Sequence, residues 1–170
     1  MMLQVLRFPH PVLRQKSKPV TMFDDDLQRL AAGMLETMYR EGGIGLAAPQ
    51  VGQLKQLIVV DLHAGDEDRA RRSPRFYVNP VIRDRSGETV TEEGCLSVPD
   101  FTAEVKRAQS IGLEYRSTAG DTVREDLNGL AAVCLQHEID HLRGKLFIDY
   151  LPLIKRQMVK KRLVKLARTA

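Results

Sequence analysis

Cysteine is scarce in this chain. Two residues, Cys95 and Cys134, among 170 are too few for a disulfide framework, so a reducing, cytoplasmic setting is the default expectation. No apolar run approaches the ~20 residues of a membrane span. The start, Met1-Met2-Leu3-Gln4, has no signal-peptide pattern. The glycine-rich stretch Glu41-Gly42-Gly43-Ile44-Gly45-Leu46-Ala47-Ala48-Pro49-Gln50 has no Gly-Lys-Ser/Thr ending and no G-x-G-x-x-G pattern, so a phosphate cradle gives way to a tight turn. Neither an internal repeat nor a domain-splitting linker is visible. With 43% hydrophobic and 28% charged residues, residues 1–170 read as one domain with a sizeable core.

Acids are missing from one region only. From Leu153 onward there are seven basic residues (Lys155, Arg156, Lys160, Lys161, Arg162, Lys165, Arg168) and no Asp or Glu. The net charge is +4, yet the part before Leu153 carries 19 basic and 22 acidic residues. The basicity therefore belongs to the tail. A helix over Leu153–Arg168 would put Val159, Leu163 and Leu166 on one face and Lys161, Lys165 and Arg168 on another. Such a helix is either a solvated cap or a dock for an anionic partner, most simply RNA.

The element pattern mixes helices and strands. Residues 3–20 hold Pro9, Pro11 and Pro19 and read as an irregular or extended arm, with His10 on its surface. Asp24-Asp25-Asp26 opens a helix to about Tyr39, with Leu27, Leu30, Met34 and Met38 in one stripe. Strands are expected at Leu57–Leu62, Phe76–Ile82, Ile111–Tyr115 and Thr122–Arg124, and Leu146–Tyr150 reads as a short extended piece. Pro80 suggests an edge strand or a bulge. The charged loop from His63 to Pro74 reads as solvated, and His63 as uninvolved in chemistry.

One short stretch stands apart from these. Gln136-His137-Glu138-Ile139-Asp140-His141 places two of the chain's four histidines one helical turn apart, about 40° around the axis. Two such imidazoles can hold one metal ion, and Glu138 between them can take a proton from a water on that ion. The preceding run Leu130-Ala131-Ala132-Val133-Cys134-Leu135 is apolar all round, which predicts a buried central helix. Asp126 is expected to cap its start, and Gly144 to close its end in the left-handed conformation. A second unusual stretch is Glu92-Glu93-Gly94-Cys95-Leu96-Ser97-Val98-Pro99. A cysteine there, after a glycine and two acids, is either a small packed residue or a placed thiolate.

Three motifs together carry a resemblance. Gly43-Ile44-Gly45-Leu46-Ala47-Ala48-Pro49-Gln50, Glu93-Gly94-Cys95-Leu96-Ser97 and Gln136-His137-Glu138-Ile139-Asp140-His141 are similar, in order and spacing, to the three motifs of peptide deformylases. The proline-rich start and the basic last helix resemble the bacterial form. The resemblance implies an α+β fold of antiparallel sheets around a central metal-binding helix, with an N-terminal and a C-terminal helix. It implies that Cys95, His137 and His141 bind one divalent metal, Fe(II) natively, with Zn(II), Ni(II) or Co(II) also accepted. The activity implied is removal of the N-formyl group from the initiator methionine of new polypeptides, releasing formate. Glu138 would act as general base and then acid for a metal-bound hydroxide, while the metal, the Leu96 N–H and the Gln50 amide stabilise the oxyanion.

Ile44, Gly45, Gly94, Leu130, Val133 and Cys134 would bind the peptide and its methionine, with His137 also lining the pocket. Cys134 lies one turn before His137, but the Gly-Cys-Leu loop matches the family's ligand, so Cys95 is preferred. Asp100-Phe101-Thr102 stands where many bacterial relatives carry an arginine, which leaves contacts to downstream substrate residues open. Arg107 is expected to pair with Glu93. The expected partners are N-formylmethionyl nascent chains and, through the tail, the ribosome; a monomer without membrane contact is expected. A zinc endopeptidase, which would cleave unformylated peptides, and an RNA-binding module without turnover are the rival functions.

Overall fold

The N-terminal acids begin the architecture as the sequence indicates. In a computed structural model, which describes residues 3–169, Asp24 accepts from the Leu27 N–H at 3.1 Å and caps helix α1, Asp25–Glu41. Met1, Met2 and Ala170, the ends of the expected 1–170 unit, lie outside the described residues. Gly42 ends α1 at φ 76°, the left-handed turn that favours glycine. Leu27, Ala31, Met34 and Met38 are buried against Leu46, Leu57 and Val59, with Leu30 half-buried beside them.

Seven strands follow: β1 Gly45–Ala47, β2 Leu57–Val60, β3 Arg75–Ser86, β4 Thr89–Cys95, β5 Val98–Arg107, β6 Ser110–Arg116 and β7 Thr122–Asn128. All pairings are antiparallel, in a five-stranded sheet of order β1-β2-β3-β6-β7 and a two-stranded ribbon of β4 and β5. Helix α2, Gly129–Leu142, lies on the five-stranded sheet, and helix α3, Leu153–Thr169, ends the described chain. This is the expected α+β arrangement. The apolar run of α2 packs Ala132, Leu135, Ile139 and Leu142 against Ile58, Tyr77, Ile111 and Leu113. No helix among the described residues is long and apolar enough to cross a membrane.

Two local expectations are corrected. Asp126 does not cap α2; it stays in β7, whose ladder runs on to Asn128, and the helix starts beyond that pairing. Leu146–Tyr150 is not extended. Asp149 accepts from the Leu146 N–H at 2.9 Å and is gripped by Arg14, which winds Phe147–Tyr150 into a 3-10 turn. Pro80 takes the second of its two expected settings, a bulge between Val78 and Val81, here within a central strand. The bulge also turns Asn79 to φ 50°, where its amide takes both backbone bonds of Val20 and ties down the N-terminal arm. Within that arm Pro11–Arg14 form a 3-10 turn capped by His10.

Gly144 closes α2 at φ 76°, as expected. A β-carbon there would lie 2.4 Å from the Arg14 carbonyl oxygen, so the arm can cross the end of α2 only over a glycine. The ribbon packs Val98 and Val105 on Phe147 and Ile148, and Leu163 anchors α3 on that same cluster. The two sheets thus leave a cleft between the free edge of β1 and the free edge of β4, with α2 as its floor.

Candidate metal centre and cleft

Strand alternation places the cysteine. Along β4 the odd residues face inward, so Glu93 and Cys95 both point at α2 while Glu92 and Gly94 face solvent. On α2, His137 and His141 stack edge to face with ring centroids 5.0 Å apart, and both are buried. Cys95 Sγ lies 3.4 Å from His141 Nε2. One donor atom from each of Cys95, His137 and His141 falls within 4.8 Å of the others. A thiolate and two imidazoles at that separation suit a divalent ion of borderline softness.

The tautomer of His137 is set from behind. Its Nδ1 lies 2.9 Å from Glu93 Oε1, so a neutral ring donates from Nδ1 and keeps the Nε2 lone pair for a ligand role. Arg107 in turn donates two bonds of 2.8 Å to Glu93 and one of 2.7 Å to Asp140, whose carboxylate also accepts from Tyr150. Burial alone would raise the Glu93 carboxyl, but hydrogen bonds from Arg107 and His137 and the Arg107 charge hold it below its ordinary value. The expected Arg107–Glu93 pair is therefore present; Asp140 and Tyr150 extend it in a way the sequence did not announce.

Glu138 sits 4% exposed beside the donors, and its Oε1 is buried without a hydrogen-bond partner. Burial pushes its carboxyl up to about 7. An orphan carboxylate oxygen is costly to bury, and next to three convergent donors it fits a site completed by a cation and its ligands. Gly45 belongs to the same constraint, because a β-carbon there would stand 2.6 Å from Glu138 Oε2. Gln50 is held rigidly. Its Oε1 accepts from the Ala47 N–H at 2.9 Å, and its amide donates to Ser97 at 3.1 Å and toward Cys95 Sγ at 3.6 Å. Ser97, fully buried at the end of the second motif, is a support to which the sequence reading gave no role of its own.

The donors open into a cavity of about 680 Å³ between β1, β4 and α2. Ile44, Gly45, Gly94, Leu96, Leu130, Val133 and Cys134 all line it, so the sequence-predicted residues converge. Cys134 stands in the apolar wall rather than in the donor group, and burial pushes its thiol up to about 12. That keeps it protonated and a poor ligand. His10 and His63 are exposed and stand outside the donor group, capping a turn and pairing with Asp66.

This geometry meets a direct comparison. The family model for polypeptide deformylase matches residues 2–157. The chain belongs to that family. A peptide deformylase of Phenylobacterium zucineum is 48% identical over 168 residues, covering 98% of each chain. One from Rhizobium meliloti is 50% identical over 162 residues, covering 95% of this chain and 91% of its own. The crystal structure of a peptide deformylase from Legionella pneumophila matches with a TM-score of 0.90 at 41% identity, covering 99% of this chain and 97% of its own. As a peptide deformylase the chain is a hydrolase that removes formyl groups from nascent peptides, and its Cys/His/His group fits a divalent metal. Most of α3 lies beyond the matched span.

The Glu93–Arg107 pair gives the first prediction. Arg107→Ala strands a buried carboxylate, so it should cost about 3–5 kcal/mol in urea unfolding. It should also weaken metal binding roughly 10–100-fold in a chelator competition, by releasing His137. Unchanged affinity would remove Glu93 and Arg107 from the site.

Proposed function

We propose that this deformylase acts on the N-formyl group of the initiator methionine through a divalent ion held by Cys95 Sγ and by the ε nitrogens of His137 and His141. The observation that carries the reading is the convergence of these three donors beside a buried, unpartnered Glu138. When bound, the ion supplies a Lewis acid that acidifies water and polarises the formyl carbonyl. Fe(II) is the native ion we favour, with Zn(II), Ni(II) and Co(II) as substitutes that the same thiolate and imidazoles accept.

The remaining chemistry belongs to side chains. Glu138 receives the proton of the attacking water and returns it to the departing amine. A carboxyl lifted toward neutrality by burial is matched to both transfers. Negative charge growing on the formyl oxygen meets the Gln50 amide and the Leu96 N–H. The bond from Ala47 orients the Gln50 amide in advance, so no reorganisation is spent during reaction. The contact between Gly45 and Glu138 leaves a cramped site, which admits a carbon bearing only hydrogen and excludes larger acyl groups.

The peptide is read as an added strand between Ile44-Gly45 on one side and Gly94 on the other. Its methionine enters the wall formed by Ile44, Leu130, Val133, Cys134 and His137, where a protonated Cys134 behaves as a small apolar group. The whole chain is taken to work as one monomeric, cytoplasmic catalytic unit. The basic face of α3 is assigned to ribosome docking. Leu163 is buried and holds the helix to the body, while Lys161 and Lys165 are exposed and Leu153, Ile154 and Met158 are bare.

Two experiments follow. Anaerobically purified protein should release formate from formyl-Met-Ala-Ser, and Glu138→Ala should lose at least about 100-fold in kcat with its metal still bound. Metal retained but no formate from the natural chain would contradict the reading. Truncation after Tyr150 should weaken ribosome binding in a salt-dependent manner and spare turnover of the small peptide. Binding that survives truncation would reduce α3 to a solvated cap.

A further inference from the structure

One polar atom in the wall of the cleft is left over. Thr91 lines the cavity, yet its hydroxyl oxygen is buried with no hydrogen-bond partner among the described residues. Like Glu93 and Cys95 it is an odd residue of β4 and points inward. The glutamate and the cysteine meet partners on α2, and the threonine meets none. Valine has nearly the same shape and suits a strand equally well, without the cost of an unpaired buried hydroxyl. Neither strand propensity nor packing accounts for the oxygen.

The way β4 runs along α2 tells where Thr91 stands. Cys95 meets His141 at 3.4 Å and Glu93 meets His137 at 2.9 Å, so two residues back along the strand match four back along the helix. One more such step, roughly 6.6–6.8 Å of strand, takes β4 to Thr91 and α2 to Val133. Val133 and its neighbours Leu130 and Cys134 line the same cavity, in the wall assigned to the methionine side chain. The hydroxyl therefore belongs to the side-chain pocket and not to the reacting centre. Because Oγ1 holds no hydrogen bond, a turn of about 120° in χ1 exchanges it with the methyl group between staggered positions, with no bond lost.

A thioether has no use for such a group, since apolar contact is enough for it. What uses it is a hydrogen-bond acceptor at the tip of the methionine side chain. Oxidation supplies one: methionine sulfoxide keeps the same carbon chain and carries a polar oxygen on its sulfur. We infer that the pocket takes formylated chains that begin with methionine sulfoxide as well as those that begin with methionine, and that Thr91 is the specificity-determining residue, donating its hydroxyl to the sulfoxide oxygen. This rests on the deformylase reading of the cleft. In a wholly apolar pocket that oxygen would give up its water and receive nothing in return. Thr91 would touch the side chain and no reacting atom, so its effect falls on KM and not on kcat.

The test compares formyl-Met-Ala-Ser with the same peptide carrying methionine sulfoxide, its two sulfur epimers separated, on the full metal-loaded chain. The readout is the ratio of kcat/KM, sulfoxide over thioether, in which any general loss in a variant cancels. In the natural protein the better epimer should come within about tenfold of the thioether. Thr91→Val should lower that ratio at least about fivefold, through KM, and Thr91→Ser, which keeps the hydroxyl, should restore most of it. A lower ratio in the natural protein, a smaller fall in Thr91→Val, or an equal fall in Thr91→Ser overturns the inference while turnover of the thioether leaves deformylation intact. Formate from neither peptide would bring down the reading of the cleft and the inference together.

Discussion

The buried bond from Arg107 to Glu93 is the constraint on which the site depends. It joins the ribbon to α2, because Glu93 reaches on to His137 and Arg107 reaches on to Asp140. An unpaired carboxylate so deep would be protonated or expelled. With Arg107 in place it stays charged, fixes the His137 tautomer and holds β4 at the distance that brings Cys95 to His141. The ribbon shares no backbone pairing with the five-stranded sheet. Its register relative to α2 is therefore set by side chains, and these polar ones span the join most directly.

The apolar scaffold makes that join affordable. The all-round burial of α2 locks the two histidines against a sheet whose strands are largely apolar on that side. The 3-10 turn after α2 brings Phe147 under the ribbon and Tyr150 onto Asp140. Gly144 lets the N-terminal arm cross the helix end, and Arg14 from that arm secures Asp149 in the same turn. Arm, turn and ribbon are thus tied together beside the centre.

Much of this was legible in the sequence, for physical reasons that differ by element. His137, Glu138 and His141 announce themselves because helical spacing alone puts them together. The stripe of α1 and its Asp24 cap are equally local. Glu93, Cys95 and Gln50 became legible only through resemblance, since strand pairing across the ribbon has no local signature in Glu92-Glu93-Gly94. Four details escaped for non-local reasons. The ladder that holds Asp126, the Arg14 grip on Asp149, the central place of Pro80 and the Tyr150 bond to Asp140 each depend on residues distant in sequence.

The central claim is that one thiolate and two imidazoles, and not the neighbouring Cys134, hold the ion. X-ray absorption at the metal edge of the zinc-loaded protein tests it most directly. The account requires a single sulfur neighbour near ~2.3 Å together with two nitrogen neighbours near ~2.0–2.1 Å, unchanged in Cys134→Ala. Two sulfur neighbours, or a sulfur that vanishes when Cys134 is replaced, would contradict it.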